Sequence, residues 1–209
     1  LGVIAVITMI LGAVAAIGQR DIKRILAFSS IAHAGFLLIS VVALNQGALA
    51  ATLFYFAIYG FATIGAFGVV TLVRDSAGEV TDVNRWVGLG KKSPIVSIIF
   101  SIFLLSFAGI PLTAGFVGKF GLFTSAYVTG HIYLVIAGVL SSAIALFFYA
   151  RIILMLFMAD PIGDTAVSVV IPSFMTRISI GISAIITLLL GVWPSLLFNS
   201  AISFAQFLR

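Results

Sequence analysis

One lysine and one histidine stand deep inside apolar runs of this sequence. Lys119 lies in "AGIPLTAGFVGKFGLF", residues 108–123, a stretch that also holds a proline and several glycines. A charge inside a membrane-length segment is expensive and marks function by default. A free lysine titrates near about 10.4. Burial lowers a lysine's value by up to about 3–5 units, and a value near 7 corresponds to roughly 4–5 kcal/mol of differential interaction. A lysine poised there loads and releases a proton as its surroundings change; an arginine stays protonated. The competing reading of Lys119 is an anchor that snorkels to an interface.

His33 is the natural second member, because its reference value of about 6.5 lets it donate or accept near neutral pH. Ser29 and His33 are one helical turn apart and share a face, with Ser30 beside them. Counted from Lys23, His33 is about 15 Å deep, near a bilayer midplane. The plainer alternative is a buried structural histidine. In 48–73, Thr52, Tyr55, Tyr59 and Thr63 recur at helical spacing, so in lipid that face must look inward. Gly60, Gly65 and Gly68 allow close helix approach. The stripe reads either as interhelical glue or, through Tyr55 and Tyr59 with Ser29 and Ser30, as a hydrated proton path. There is no phosphate-cradling glycine loop, no histidine pair at metal spacing, no hydrolase elbow and no iron–sulfur pattern. Nothing in the sequence offers a place for NADH or flavin, and without cysteine there is no disulfide or thiolate metal site.

Such residues need elements to hold them, and composition says which. Apolar residues make up 62% and charged residues 8%, with a mean hydropathy of +1.30. A soluble domain of this length needs far more charge, and several apolar stretches reach the roughly 20 residues that cross a bilayer. The fold class is all-α, a polytopic transmembrane bundle. Six segments are predicted: 1–18, 25–44, 48–73, 94–128, 131–158 and 178–198. The links 19–24, 74–93 and 159–177 are polar and carry or flank Arg20, Lys23, Arg24, Arg74, Arg85, Lys91, Lys92 and Arg177. Six spans put all three on one side, and positive charge makes that side cytoplasmic. The net charge of +5 is therefore a topology signal and not a mark of nucleic-acid binding. Asp75, Glu79, Asp82, Asp160 and Asp164 share the links and count little for orientation. Asp21 can cap a helix beginning near Ile22. Arg151 reads as a snorkelling anchor, Tyr149 as a belt aromatic, Trp86 as part of a short surface segment, and His131 as interfacial. Trp193 and Pro194 read as an interface mark on the far side. The chain opens at Leu1 within an apolar run, without a basic region before it, which reads as a fragment and not as a signal peptide.

Segment 94–128 is too long for one straight span. It would measure about 52 Å against a hydrocarbon core of about 30 Å. Pro111 cannot donate its backbone N–H and disfavours helix at Ile110, while Gly109 and Gly115 lower helix propensity on either side. A non-helical stretch is predicted near 109–116. Broken backbone at membrane depth must be buried in protein or line a wet cavity, and transporters build ion sites this way.

"DIKRILAFSSIAHAGFLL", "LSFAGIPLTAGFVGKFGLF" and "GVWPSLL" together resemble the antiporter-like membrane subunits of respiratory complex I. The lysine in "GFVGKF" makes subunit N of bacterial NADH–quinone oxidoreductase the closer likeness over subunit M, which typically has glutamate there. The resemblance runs over essentially the whole chain. It implies about fourteen helices in two inverted repeats in the full protein, with residues 1–158 as the second five-helix repeat and 159–209 as a cytoplasmic link and final helix. It also implies that Lys119 is the central-axis residue of the broken helix and His33 its relay partner, with Tyr55 and Tyr59 carried over less firmly. The first-half glutamate and lysines of the family have no counterpart in this chain. The implied function is proton translocation coupled to quinone reduction, in the bacterial inner membrane, beside subunits M and K. NADH, FMN, iron–sulfur clusters and quinone would sit in other subunits, with no cofactor in this chain. The alternatives are a subunit of a sodium or potassium/proton antiporter, and a membrane scaffold without a proton site.

Overall fold

Apolar runs bounded by caps and breakers become helices in the computed structural model, which describes residues 1–159 and 167–207. The elements in order are α1 (Gly2–Ile17), α2 (Ile22–Ala43), α3 (Gln46–Val70), β1 (Val73–Asp75), β2 (Gly78–Glu79), a 3-10 turn (Val83–Trp86), α4 (Leu89–Lys92), α5 (Pro94–Ala108), α6 (Ala114–Val128), α7 (Ile132–Phe157), β3 (Ser168–Val169), α8 (Phe174–Val192) and α9 (Ser195–Phe207). Asp21 caps α2 by accepting from the Arg24 N–H at 2.9 Å. Asn45 caps α3 by accepting from the Ala48 N–H at 2.7 Å. Pro94 starts α5, where its missing N–H costs nothing. Helices α2, α3, α7 and α8 are each long and apolar enough to cross a membrane.

The last helix departs from expectation. In place of one helix over 178–198, α8 ends at Val192 and α9 begins at Ser195. Pro194 supplies no N–H, and Trp193 leaves the helical region at φ −128°, ψ 69°. Helix α8 meets the end of α3 at Gly68 and Ile180, and α9 continues along its beginning, where Phe198 meets Phe54 edge-on at 5.5 Å. Six helices with one break thus become nine α-helices among the described residues, with interruptions in both α5–α6 and α8–α9. The interruptions touch: a Cβ on Gly191 would lie 2.3 Å from the Leu112 carbonyl oxygen.

The three polar links meet at one end of the bundle. Strands β2, β1 and β3 form a small antiparallel sheet in that order, pairing Arg74 with Glu79 and with Ser168. Ile22 N–H donates to Thr81 O at 2.7 Å and Val83 N–H to Arg20 O at 2.8 Å. Arg85 pairs with Asp75 at 2.5 Å, and Lys23 pairs with Glu79. Trp86 corrects the reading of 82–92 as a surface segment: it is 1% exposed, and its indole N–H donates to Val80 O at 2.7 Å. Val80, Val83, Trp86 and Leu89 are all buried, so apolar residues at every third position turn this link onto the core. Asp160 and Asp164 lie outside the described residues.

Asp21 ties two links together, because its carboxylate also accepts from the Thr81 hydroxyl at 2.5 Å. Partial burial pushes this carboxyl up, but Thr81 and the Arg24 and Lys23 backbone more than offset it and hold the group below its ordinary value. A lowered folded-state value gives stability that is present above the unfolded value of 3.8 and lost as pH falls through the folded one. Thermal unfolding of the detergent-solubilised protein should therefore show wild type losing its advantage over Asp21→Ala as pH drops below about 4, with about 1 kcal/mol at stake at pH 7 from the cap.

Candidate functional site

Helix α5 ends at Gly109, which takes the left-handed conformation at φ 79° and donates to the Leu105 and Ser106 carbonyls. The chain is non-helical over 109–113 and α6 resumes at Ala114. Gly115 is already helical, so the break is shorter than the expected 109–116. That glycine serves close approach instead: its N–H donates to Ser106 Oγ at 3.2 Å, and a Cβ there would stand 1.8 Å from the Ser106 carbonyl oxygen. In a continuous helix the Phe107 carbonyl would accept from the N–H of residue 111. Residue 111 is proline and has none.

Lys119 takes that orphaned acceptor. Its Nζ donates to Phe107 O at 2.8 Å, to Ala108 O at 3.3 Å and to Ser142 Oγ at 3.2 Å. It also stands 4.6 Å from the centre of the Phe36 ring, a cation–π distance. Lys119 is 4% exposed, and no carboxylate pairs with it among the described residues. The negative end of the α5 dipole faces the ammonium. All three ammonium protons are thus accepted. The neutral amine keeps two N–H donors for the carbonyls and has a lone pair that the Ser142 hydroxyl can donate to. The same cradle satisfies both protonation states.

His33 is 3% exposed, and its Nδ1 is hydrogen-bonded to the Tyr55 hydroxyl at 2.5 Å. Its ring stacks on Tyr59 at 4.4 Å. Tyr59 donates to Ser30 Oγ at 2.7 Å, and Ser30 donates to Leu26 O at 2.9 Å. Ser29 is hydrogen-bonded to the hydroxyl of Tyr149. Tyr149 is 0% exposed, which corrects its reading as a belt aromatic: the one polar stripe of α2 draws its hydroxyl inward. Thr52 bonds to Ser40, apart from the histidine. Gly65 and Gly68 lie against Phe103 and Ile180, whereas Gly60 faces open space and mediates no close approach. His131 precedes α7 and bonds to Thr129 Oγ1 at 3.0 Å.

Lys119 and His33 do not touch. Each meets Phe36, whose ring is 4.6 Å from Lys119 Nζ and 5.9 Å from the ring of His33, and Phe107, whose carbonyl holds Lys119 while its ring is 5.5 Å from His33. A cavity of about 10 Å³ lies beside the histidine, lined by His33, Tyr55, Tyr59, Ser106 and Gly115 among others. That is room for about one water molecule with polar partners on several sides. Ser142, Tyr149 and Ser106 are site residues that the sequence reading missed. Ser142 and Tyr149 are seven residues apart and so share a helix face, a signal available in the sequence of α7.

Residues 1–145 match the family described as NADH:quinone oxidoreductase/Mrp antiporter, TM. The NADH-quinone oxidoreductase subunit N of Rhodococcus opacus (strain B4) is 51% identical over 206 residues, covering 99% of this chain and 38% of that protein. A chain of respiratory complex I from Thermus thermophilus with bound aureothin superposes with a TM-score of 0.82 at 27% identity, over 95% of this chain and 44% of that one. A chain of the Mrp complex from Dietzia sp. DQ12-45-1b reaches a TM-score of 0.83 at 22% identity, over 98% of this chain and 46% of that one, a likeness of fold alone. The chain spans well under half the length of the curated relative. Lys119, its cradle and His33 all fall inside the matched residues, and on that match the chain belongs to the NADH:quinone oxidoreductase/Mrp antiporter transmembrane family.

Proposed function

We propose that this chain is the proton-carrying second repeat, with the final span, of a subunit-N-type membrane subunit of NADH–quinone oxidoreductase. Residues 1–158 form the repeat and 159–209 the link and last span. The observation that carries the reading is Lys119 held, without a counter-ion among the described residues, on the Phe107 carbonyl that Pro111 leaves without a donor and the Ala108 carbonyl at the end of α5. A cradle that satisfies both ammonium and amine lets a small electrostatic change decide which is present. Moving one charge against 100 mV costs about 2.3 kcal/mol, comparable to roughly 1.7 pKa units. Lys119 is the loaded site; His33, Tyr55 and a water in the cavity beside them relay its proton. Quinone reduction elsewhere in the complex drives the change, with NADH, FMN, iron–sulfur clusters and quinone in other subunits. Subunits M and K are the membrane neighbours. The membrane is the bacterial inner membrane, and the meeting end of the three links faces the cytoplasm.

The sodium or potassium/proton antiporter reading shares the fold. It shares Lys119 as well and is weaker here, because a relative named NADH-quinone oxidoreductase subunit N is 51% identical while the Mrp complex chain is alike at 22%. The test is Lys119→Ala in the full-length subunit within its assembled complex, in sealed vesicles. NADH:quinone turnover and proton pumping should fall together; wild-type pumping overturns the reading, and a sodium-dependent loss favours the antiporter.

A further inference from the structure

We propose that Ser29 and Tyr149 form a gated proton connection between the link end of the bundle and the His33 site, an inference that rests on the proton-translocating reading. Tyr149 comes from α7 and Ser29 from α2, and their hydroxyls bond to one another inside the bundle. A buried polar pair is not required for packing, since apolar groups of the same shape can replace both partners at little cost. Its position explains it better. On one side, Ser29 is one turn from His33 on the same face of α2. The Phe107 ring meets Tyr149 at 5.9 Å, Tyr59 at 5.6 Å and His33 at 5.5 Å, so three proton-bearing groups surround one aromatic ring.

On the other side lies a second cavity of about 10 Å³, at the link end, whose lining includes Gln19, Ile25, Phe148 and Arg151. It too has room for about one water molecule. Ile25 is one turn before Ser29, and Phe148 is next to Tyr149. Each is 3% exposed, and each lines this cavity while adjoining one member of the hydroxyl pair along its helix, the place of an apolar constriction in the connection. Apolar constrictions of this kind gate by dewetting. The Arg151 cation at the cavity raises the cost of a hydronium resting there, which keeps the connection shut until charge nearby changes.

The transfer balances without any cofactor. A proton on a cavity water forms a new O–H bond at one hydroxyl of the pair as that hydroxyl's own proton leaves for the next acceptor. The chain of transfers ends on the Nε2 of His33 in the tautomer whose Nδ1–H donates to the Tyr55 hydroxyl, which leaves the Nε2 lone pair to take the proton. The water and both hydroxyls finish neutral, and the histidine finishes as imidazolium.

The test uses the full-length subunit in its complex, in sealed vesicles, with rates normalised to assembled complex. Tyr149→Phe keeps the ring and should lower pumping and turnover together by about threefold or more, equivalent to roughly 0.7 kcal/mol or more. The deuterium solvent isotope effect on turnover should rise with it, and Ser29→Thr should retain activity. Ile25→Ser gives water a foothold in the constriction and should raise passive proton leak, measured without NADH, by about twofold or more. Wild-type pumping in Tyr149→Phe overturns the connection and leaves the pair as interhelical glue; unchanged leak in Ile25→Ser overturns the gate. Inactive Lys119→Ala beside active Tyr149→Phe overturns the connection alone; active Lys119→Ala overturns the underlying reading.

Discussion

Lys119→Arg in the assembled full-length complex should lower NADH-driven proton pumping by at least about tenfold, a barrier change of at least about 1.4 kcal/mol. Turnover should fall in step, as is expected for Lys119→Ala. Arginine keeps the positive charge, and its donors can still reach toward the carbonyls of Phe107 and Ala108 that now accept from Lys119. What it cannot do is give up a proton at any accessible pH. The substitution therefore separates two roles that alanine removes at once. An interfacial anchor would tolerate arginine, because both side chains snorkel equally well; near-wild-type pumping in Lys119→Arg would sink the proton-site assignment. Lys119→Met supplies the control for bulk, matching the length of the stem without charge or donors, and is expected to be as inactive as the arginine variant. Complex content measured on native gels keeps loss of assembly apart from loss of chemistry.

The chemistry of this site was legible where one residue type breaks a general rule. A lysine in lipid and a proline inside an overlong apolar run each cost free energy, so Lys119 and Pro111 announced themselves. Their relation did not: that Pro111 orphans the very carbonyl Lys119 takes is a matter of three-dimensional return, with α6 folding back on the end of α5. Gly115 was read as a breaker because glycine is poor in helices, yet it is helical and serves contact. Tyr149 and Ser142 share a face of α7 at a spacing of seven, but the tyrosine beside Arg151 imitated a membrane-edge pattern, and that hid the pairing. The link sheet escaped notice because strands of two or three residues carry no measurable alternation. Helix α9 escaped because its sequence is shorter and more polar than a span, and its apolar partners, Phe54 among them, are supplied by packing against the bundle.

Gly115→Ala is expected to cost both stability and pumping, for one geometric reason. The added methyl would stand 1.8 Å from the Ser106 carbonyl oxygen and 2.7 Å from its carbon. Both are backbone atoms, so no rotamer change relieves the contact; α5 and α6 must part. Overpacking of a tight contact typically costs about 1–3 kcal/mol, and backbone on both sides places this case at the upper end. Lys119 is one turn beyond Gly115 on the same face of α6, so the movement that makes room for the methyl also withdraws Nζ from the Phe107 and Ala108 carbonyls. Thermal unfolding of the solubilised complex should therefore begin several degrees lower, with pumping per assembled complex reduced severalfold. Gly60→Ala is the matched control: a Cβ there meets nothing within 4 Å, and alanine is the better helix former by roughly 0.5–1 kcal/mol. It should leave pumping unchanged and stability equal or slightly higher. Wild-type pumping in Gly115→Ala with lowered stability would mean that the cradle of Lys119 does not depend on the close approach of the two half-helices. In that case Pro111 alone presents the carbonyls, and Pro111→Ala, which restores an N–H able to compete for the Phe107 oxygen, becomes the more damaging substitution of the two.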